Sequence, residues 1–430
     1  MERFLSRHEK HLPNHFYNLK ADLETLPPPP LSPVTHGPLD PQELLPIFPA
    51  GLVAHEVSRA RSVPIPPAVL AIMAQYRPTP LVYASELRRR LGTPAHIFYK
   101  YEGVSPSGSH KSNTALVQAH LAAAEGVETL VTETGAGQWG SALALAGQAL
   151  GLRIHVYMVG SSFHQKPERR ALMEMAGAEV TASPSGRTRA GRACLGEGPD
   201  HPGSLGIAIA EAVEEAVGTS GAKYALGSVL DSVLLHQSVI GLEARSQLAE
   251  VGASPDLVVG CVGGGSNFAG LAFPLLHDPL GRQAKCEFLA VEPAACPTLT
   301  RGRLGYDHGD SAGLTPLLFM HSLGKGFVPP PLHAGGLRYH GMSPLVSHLV
   351  AQGRVKAVAL EQDRVFAAAR LFLSCEGILP APESAHAIAA VIDEALRCRE
   401  TGEARTILLG LSGHGLLDLA SYRASGGAGS

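Results

Sequence analysis

The stretch VVGCVGGGSNFAG, residues 258–270, has the form of a buried strand that runs through a glycine turn into a helix. Its apolar start predicts the strand, and Ser266 and Asn267 are residue types that favour a helix start. Glycine amides at the positive end of a helix form a cup for an anion such as a single phosphate. A simple packing turn is the alternative, and the nucleotide-loop motifs GxGxxG and GxxxxGK are absent.

Short apolar runs alternate with helical segments on both sides of this stretch. VETLVTE (127–133), LRIHVYMVG (152–160) and AEVTAS (178–183) precede it, and CEFLAVEP (286–293) and TILLGLSGHG (406–415) follow it. Strands that are apolar on both faces predict parallel sheets covered by helices. We therefore predict an α/β fold of two lobes with parallel or mostly parallel sheets. A ligand would bind in the cleft between the lobes, beyond the carboxyl ends of the strands.

The length of 430 residues exceeds what one ordinary hydrophobic core contains. Residues 1–60 include the proline run LPPPPLSPV, which predicts an extended N-terminal arm lying over the folded body. We assign residues 61–240 to an N-terminal α/β lobe. Residues 241–430 then form a C-terminal lobe that carries the glycine cup.

The composition excludes several classes of function. A formal net charge of −3 gives no basic surface, so neither nucleic acid nor an anionic membrane is an expected partner. No run of 18 apolar residues predicts a membrane span, and the start MERFLSRHEKHLPNHF lacks the apolar core of a signal peptide. Six scattered cysteines without a CxxC pair, and 20 histidines without HExxH, indicate a reducing cytoplasm and no metal site.

Lys111 lies where a helix begins, in SPSGSHKSNTA (105–115). The positive end of a helix disfavours an ammonium by about 0.3–1 kcal/mol, whereas a neutral lysine near pH 7 requires roughly 4–5 kcal/mol. Burial or a bound partner must supply the difference, unless the side chain bends out into solvent.

A second glycine-rich strand exit is LVTETGAGQWGSA (130–142), where Glu133 ends a strand before a helix. The consecutive amides of residues 134–138 suit a carboxylate, and Glu133 beside them suits a general acid or base. An acidic residue favoured by the helix dipole is an equally good interpretation of this stretch taken alone.

A third exit is ILLGLSGHG (407–415), in which Ser412 follows a strand. The motif GxSxG of serine hydrolases is absent, so Ser412 suits a hydrogen-bonding role better than a nucleophilic one.

A lysine at a helix start, a phosphate cup, a carboxylate cup with an acid beside it, and a neutral hydroxyl are together what pyridoxal phosphate requires. Because a hydroxyl leaves the pyridine nitrogen largely unprotonated, the ring would be a weaker electron sink. This favours elimination from the β-carbon over transamination.

The chain resembles the tryptophan synthase β chain, in the fold-type II group of pyridoxal phosphate enzymes. The matching stretches, in order, are SHKSN (109–113), ETGAGQWG (133–140), CVGGGSN (261–267), EGILPAPESAHA (376–387) and LSGHG (411–415). Trp139 stands where the ordinary β chain has histidine, the N-terminal arm is additional, and HAGGLRYHG (333–341) replaces a segment that carries an aspartate. These departures resemble the divergent second branch of the family.

The resemblance implies roles for individual residues. Lys111 would form the Schiff base and move the α-proton of the substrate, and Glu133 would assist loss of the serine hydroxyl and then orient indole. The implied cofactor-binding residues are Lys111, His110, Asn113, Gly263, Gly264, Gly265, Ser266, Asn267, Glu376 and Ser412. The implied substrate-carboxylate loop is Thr134, Gly135, Ala136, Gly137 and Gln138.

The implied reaction condenses indole with L-serine to give L-tryptophan. A serine or threonine deaminase, which releases a keto acid and ammonia, is the alternative within pyridoxal chemistry, and a nucleotide-binding protein is the alternative from another class. The guanidinium of Arg338 suits a phosphate, so O-phospho-L-serine is an alternative to L-serine as the amino acid donor. An ion pair between Arg338 and a surface carboxylate is the other interpretation of this residue.

The resemblance also implies partners and motions. Residues 126–215 would form a mobile region that closes over the substrate and excludes water. A homodimer and a monovalent cation near the glycine cup are implied as well. Docking of a tryptophan synthase α chain stays open, because the arm of residues 1–60 is placed to cover that surface.

Overall fold

The computed structural model describes residues 5–6, 9–198, 200–277, 286–330 and 332–425. Its strands are β1 (Leu5–Ser6), β2 (His15–Tyr17), β3 (Ser62–Pro64), β4 (Leu81–Tyr83), β5 (His96–Tyr101), β6 (Thr129–Thr134), β7 (Arg153–Val159), β8 (Glu179–Ser183), β9 (Ala222–Ala225), β10 (Leu257–Cys261), β11 (Glu287–Pro293), β12 (Arg303–His308), β13 (Leu317–Ser322), β14 (Lys356–Leu360) and β15 (Thr406–Leu411).

The helices connect these strands. They are α1 (Ala50–Val57), α2 (Pro67–Met73), α3 (Ser85–Leu91), α4 (Ser112–Ala124), α5 (Gln138–Leu150), α6 (Gly160–Gln165), α7 (Pro167–Met175), α8 (Arg189–Glu197), α9 (Leu205–Gly218), α10 (Asp231–Gln237), α11 (Val239–Glu250), α12 (Ser266–Leu276), α13 (Thr298–Arg301), α14 (Pro344–Ala351), α15 (Gln362–Glu376), α16 (Pro382–Thr401) and α17 (Leu419–Ala424).

Two sheets carry the fold. The larger has the strand order β1-β4-β5-β15-β10-β11-β14 and the smaller β8-β7-β6-β9. Pairing is parallel throughout the small sheet and from β5 to β14 in the large one, whereas β1 and β4 add an antiparallel edge. The predicted α/β fold with mostly parallel, helix-covered sheets is confirmed.

The boundary between residues 240 and 241 stays a prediction, and the two sheets divide the chain differently. The small sheet uses the contiguous segment 129–225, but β4 and β5 belong to the large sheet with the C-terminal strands. Strand β5 pairs with β15, so that Tyr99 lies opposite Leu409. Sequence patterns identify strands but not their partners, and this partner is distant in sequence.

The N-terminal arm packs firmly on the body. Phe16 is fully buried and Leu52 is 2% exposed, so the arm shares the hydrophobic core. The side chain of Lys20 pairs with Asp231, the first residue of α10, at 3.0 Å. The arm is therefore part of the folded unit and includes the helix α1 as well as the extended proline run.

Helix α12, which begins directly after the glycine cup, is held by close helix packing. A Cβ placed on Gly241 of α11 would lie 2.4 Å from the carbonyl oxygen of Leu271. A Cβ on Gly270 would lie 2.6 Å from the Cβ of Gln237. Glycine at both positions lets α10 and α11 approach α12 closely, and this packing fixes the position of the start of α12.

A buried ion-pair network lies beneath α4. The guanidinium of Arg77 donates to Glu102 at 2.9 Å and to Glu243 at 2.8 Å, and none of these side chains is more than 1% exposed. It also donates to Oδ1 of Asn113 at 2.7 Å, while Nδ2 of Asn113 donates to Gln237 at 2.9 Å. The amide of Asn113 is thus committed to this network, which corrects its assignment to the cofactor.

Replacing Arg77 with methionine should lower the free energy of unfolding by about 3–5 kcal/mol, because buried Glu102 loses its charge partner and buried Glu243 keeps only Lys100. Chemical denaturation followed by circular dichroism measures the change. Arg153, whose exposed side chain pairs with Glu128 at 2.8 Å, is the matched control. Its replacement by methionine should cost less than about 1 kcal/mol, and equal losses for the two variants would contradict a stabilising role for the network.

Candidate active site

Lys111 lies at the N-terminus of α4 and points into a pocket between the two sheets. Its Nζ donates to the carbonyl oxygen of Gly227 at 3.1 Å. Burial lowers the pKa of the amine to about 8, and the carboxylates of Glu133 and Glu383 oppose that shift. The side chain therefore does not bend out into solvent, and near neutral pH the amine exchanges a proton readily.

The glycine cup follows β10, as predicted, and opens toward Lys111. Gly265 has φ of +100°, and a Cβ on Gly264 would lie 2.0 Å from the side-chain oxygen of Ser228. No larger residue fits either position without movement. The cup therefore presents unobstructed amides at the start of α12, the geometry that binds a phosphate.

His110 connects the lysine segment to the cup. Its Nε2 lies 3.2 Å from the hydroxyl oxygen of Ser266. Burial, together with the charge of Lys111, lowers the pKa of His110 to about 3, so the imidazole is neutral. Its Nδ1 lies 3.4 Å from the carbonyl oxygen of Ser412, which can only accept, so the neutral ring donates there and its Nε2 accepts from the hydroxyl of Ser266.

Ser412 lies at the carboxyl end of β15, next to the carboxyl end of β10. Its hydroxyl oxygen is 2.7 Å from that of Ser384 and 3.6 Å from the sulfur of Cys261. These neighbours are neutral, because burial raises the pKa of Cys261 to about 12. Ser384 was not predicted, although it lies within EGILPAPESAHA.

The segment predicted to bind a carboxylate forms a tight loop between β6 and α5. Gly137 has φ of +91°, and a Cβ there would lie 2.7 Å from the Cβ of Arg169. Thr134 accepts a hydrogen bond from the amide of Gly140 at 3.1 Å, which closes the loop. The turn aims consecutive amides into the pocket that Gly135, Ala136 and Gln138 line.

The acidic residue assigned to the cofactor face needs correction. Glu376 ends α15, and its Oε1 accepts from the amide of Leu87, away from the residues that line the pocket. The carboxylate that contacts residues of the pocket lining belongs to Glu383, seven residues further along the same quoted stretch. It accepts from Gln138 at 2.9 Å and from the amide of Gly336 at 2.8 Å.

Glu133 lines the same pocket as Lys111 and is 3% exposed. Burial raises the pKa of its carboxyl to about 7, and a hydrogen bond from the hydroxyl of Tyr224 to Oε2 opposes the shift. A carboxyl that titrates near neutrality is suited to both donating and accepting protons. Tyr224 was not predicted, because only the pairing of β6 with β9 brings it to Glu133.

Arg338 lies at the edge of the site and is directed inward. Its guanidinium donates to the hydroxyl of Ser162 at 2.8 Å. It also packs close to Gly335, since a Cβ added to that glycine would lie 3.2 Å from Nη2 of Arg338. Burial lowers the pKa of the guanidinium. Among the described residues no carboxylate pairs with it, so the alternative of a surface ion pair does not hold.

Contacts across the cleft tie the small sheet to the large one. Lys166 and Arg169, at the start of α7, both bind the carboxylate of Asp418, at 2.7 Å and 3.1 Å. Lys166 also donates to the carbonyl oxygen of His333 at 3.2 Å. These bonds attach the start of α7 to the C-terminal part of the chain. The mobility assigned to residues 126–215 stays a prediction.

An apolar cavity of about 490 Å³ adjoins the pocket. Four residues line both spaces: Ile209, Leu226, Val229 and Tyr339. The proline run of the arm and Phe48 form part of its outer wall. A flat apolar molecule can therefore lie beside the pocket without meeting a charged group at its inner end.

The residues of the pocket fit pyridoxal phosphate. The cup would bind the phosphate, Lys111 would meet the aldehyde and Ser412 would meet the ring nitrogen. The buried Oδ1 of Asn267, at the start of α12, has no hydrogen-bond partner among the described residues. An amide oxygen accepts hydrogen bonds, so a donor on a bound water or ligand would satisfy it. Fold and site together define an α/β enzyme that uses pyridoxal phosphate.

The comparisons with known proteins agree. A family model described as pyridoxal-phosphate dependent enzyme matches residues 72–413. Tryptophan synthase beta chain 2 of Thermotoga maritima is 56% identical over 96% of this chain and 97% of its own. Tryptophan synthase beta chain of Thermococcus gammatolerans is 55% identical over 96% of this chain and 93% of its own. The chain belongs to the tryptophan synthase β chains, pyridoxal-phosphate-dependent lyases whose reaction is a β-replacement that joins indole to L-serine.

Solved structures of lower sequence identity share the fold. A threonine deaminase from T.th. has a TM-score of 0.56 at 24% identity, with 81% of this chain and 96% of that chain covered. A fungal L-serine ammonia-lyase from Rhizomucor miehei has a TM-score of 0.59 at 17% identity, with 80% and 97% covered. At these identities the likeness concerns the fold alone.

Two structural features are absent from the described residues. No helix there is long and apolar enough to cross a membrane. No group of three or more histidine, cysteine, aspartate or glutamate side chains in those residues is arranged to hold a metal ion.

Proposed function

We propose that Lys111 and Glu133 are the catalytic residues for the synthesis of L-tryptophan in this protein. Lys111 would hold the cofactor, and Glu133 would act as acid and base. The observation that supports this most strongly is that the two side chains line one pocket together with Gly135, Ala136 and Gln138. A cation, a titratable acid and a carboxylate-binding loop are thereby within reach of one small amino acid.

Bound pyridoxal phosphate would supply a ring that stabilises negative charge at the substrate α-carbon. The glycine cup from Gly263 to Asn267 would bind its phosphate, with His110 beside it. The hydroxyl of Ser412 would bond the pyridine nitrogen and leave it without a proton. Because burial lowers the pKa of Lys111 to about 8, its amine would remove and return the α-proton near neutral pH.

Glu133 would serve both halves of the reaction. With a pKa of about 7, the carboxyl is present in both protonation states under physiological conditions. The protonated form would donate to the departing oxygen of the donor, and the ionised form would accept the proton that indole loses as the new bond forms. The apolar cavity beside the pocket suits indole, and the loop from Thr134 to Gln138 suits the carboxylate of the amino acid.

The proposal is tested by supplying the purified protein with L-serine, with and without indole. We expect L-tryptophan with indole and little keto acid. Pyruvate formed at the same rate whether or not indole is present would favour the deaminase alternative. A visible absorption band that borohydride removes, with the label recovered on Lys111, tests the assigned lysine, whereas a colourless protein would support the binding-protein alternative.

Arg338 is proposed to bind the phosphate of O-phospho-L-serine as an alternative donor. Its inward direction and the absence of a carboxylate partner among the described residues support this. Replacing Arg338 with alanine should lower kcat/KM for O-phospho-L-serine by about 10- to 100-fold, the effect of one lost charge-assisted hydrogen bond. The value for L-serine should change by less than about twofold.

Steady-state kinetics with both donors measure this effect. Arg303, an exposed arginine on β12, is the control, and its replacement by alanine should alter neither donor. Equal use of the two donors, unchanged by Arg338→Ala, would refute the assignment.

We also propose a homodimer in the cytoplasm, with the monovalent cation that the family resemblance implies. All six cysteines are free thiols, which supports a reducing compartment. Analytical ultracentrifugation tests the dimer, and assays in potassium, sodium and Tris buffers test the cation. Adding a tryptophan synthase α chain to the same ultracentrifugation experiment tests whether such a partner docks.

A further inference from the structure

The phenol of Tyr224 lies between the pocket and the apolar cavity. Its ring lines the cavity of about 490 Å³ and lies 5.6 Å from the ring of Phe48. Its hydroxyl donates to Oε2 of Glu133, which lines the pocket of Lys111. Tyr224 is 1% exposed and Glu133 is 3% exposed, so water does not compete for this hydrogen bond.

The sheet fixes this contact. Strand β9 runs parallel to β6 with Tyr224 opposite Val131, and Glu133 follows two residues later on the same face of β6. The phenol therefore reaches forward along the strand to the carboxylate. One oxygen of Glu133 is held in this way, which leaves the other for the substrate.

The direction of the hydrogen bond is defined. Burial and the neighbouring carboxylate raise the pKa of the Tyr224 phenol well above its usual value, so the hydroxyl keeps its proton at every working pH. A donor to a carboxylate favours the ionised form of that carboxylate. Burial alone would raise the pKa of Glu133 further than the value of about 7 that it has with the phenol present.

Other charged or titratable groups also act on this pair. The ammonium of Lys111 favours the ionised form of Glu133. Tyr339 and Asp310 lie near enough to Tyr224 to raise the pKa of the phenol. Both of these groups keep their contacts when the Tyr224 hydroxyl is removed, because Tyr339 donates to the carbonyl of Gly309 at 2.9 Å and Asp310 accepts from Thr315 at 2.7 Å.

We propose that Tyr224 is a positioning residue for Glu133: its hydroxyl aims the carboxylate at the pocket and favours its ionised form, while its ring forms the wall along which the aromatic nucleophile enters. This inference rests on the acid and base role proposed for Glu133. It adds that the apolar cavity and the proton-transfer group are joined by a single side chain.

Tyr224→Phe tests the inference because it removes the hydroxyl and keeps the ring. The pKa of Glu133 should rise by about one pH unit. Since the ionised form accepts the proton of indole, the acidic limb of the pH profile of kcat/KM for indole should move to higher pH by the same amount. Infrared difference spectra of the cofactor-free protein provide a second readout, in which the Glu133 band is identified by its absence in Glu133→Gln.

Tyr157→Phe is the matched control. Tyr157 lies opposite Glu133 in the next strand of the same sheet, but its hydroxyl donates to Glu215, which does not line the pocket. In Tyr157→Phe, the pH profile of kcat/KM for indole and the infrared band of Glu133 should match those of the unmodified protein. An unshifted Glu133 band in Tyr224→Phe, or an equal shift in both variants, would overturn the inference. A shifted band with an unshifted activity profile would instead refute the role proposed for Glu133.

Discussion

Replacing Lys111 with alanine is expected to lower kcat for tryptophan formation by about 10⁴-fold or more, with the protein still able to bind its cofactor. The amine of Lys111 is the only one that lines the pocket among the described residues, so no neighbour can take its place. The phosphate cup is built from main-chain amides and is unaffected by the change. Single-turnover kinetics and the visible spectrum measure the two effects separately.

The control for Lys111 is an exposed lysine. The side chain of Lys356 is 68% exposed and pairs with Glu287, far from the cup in sequence. Lys356→Ala should leave kcat and the spectrum unchanged. If Lys111→Ala kept more than about a tenth of the activity, the lysine that holds the cofactor would have to be sought elsewhere.

Glu133→Gln is expected to lower kcat by about 10²- to 10³-fold while cofactor binding stays within about twofold, because a proton donor and acceptor is lost and the shape is kept. The sign of the pH effect follows from the pKa of about 7. In the unmodified protein the accepting, ionised form increases as pH rises through 7, so that step becomes faster. The pH profile of kcat for Glu133→Gln should lack this rise through pH 7.

Glu215→Gln provides the comparison for Glu133. Glu215 is a carboxylate of the same lobe that accepts from Tyr157 and His155, and its pKa is lowered by these hydrogen bonds despite partial burial. Its replacement should leave the profile intact. Undiminished tryptophan formation by Glu133→Gln would remove Glu133 from the chemistry.

The turns that the sequence predicts at the candidate site are local in character. A strand that ends in consecutive glycines dictates its own turn, and so the cup after β10 and the loop after β6 are found where they were expected. Lys111 and Ser412 could be chosen as candidate site residues because each lies next to a helix start or a strand end. In these places the backbone conformation is set by neighbouring residue types.

The parts that the sequence does not predict depend on the direction of side chains. Glu376 and Glu383 share one quoted stretch, but Gly377, with φ of +72°, ends α15 and turns the chain between them. Only the second carboxylate then contacts residues that line the pocket, Gln138 and Gly336. Asn113 is likewise two residues from Lys111, yet its position in the first turn of α4 directs it to the buried ion pairs.

The pairing of β5 with β15 also governs how the polypeptide can be made. These neighbours in the large sheet, His96–Tyr101 and Thr406–Leu411, come from distant parts of the chain, whereas the small sheet is contiguous. On the ribosome the small sheet can form first. Strand β5 gains its parallel neighbour β15 only after residues 406–411 have been synthesised. Until then one edge of β5 is unpaired, and an exposed strand edge is a template for aggregation. We therefore expect the nascent protein to be most prone to aggregation during this interval of translation.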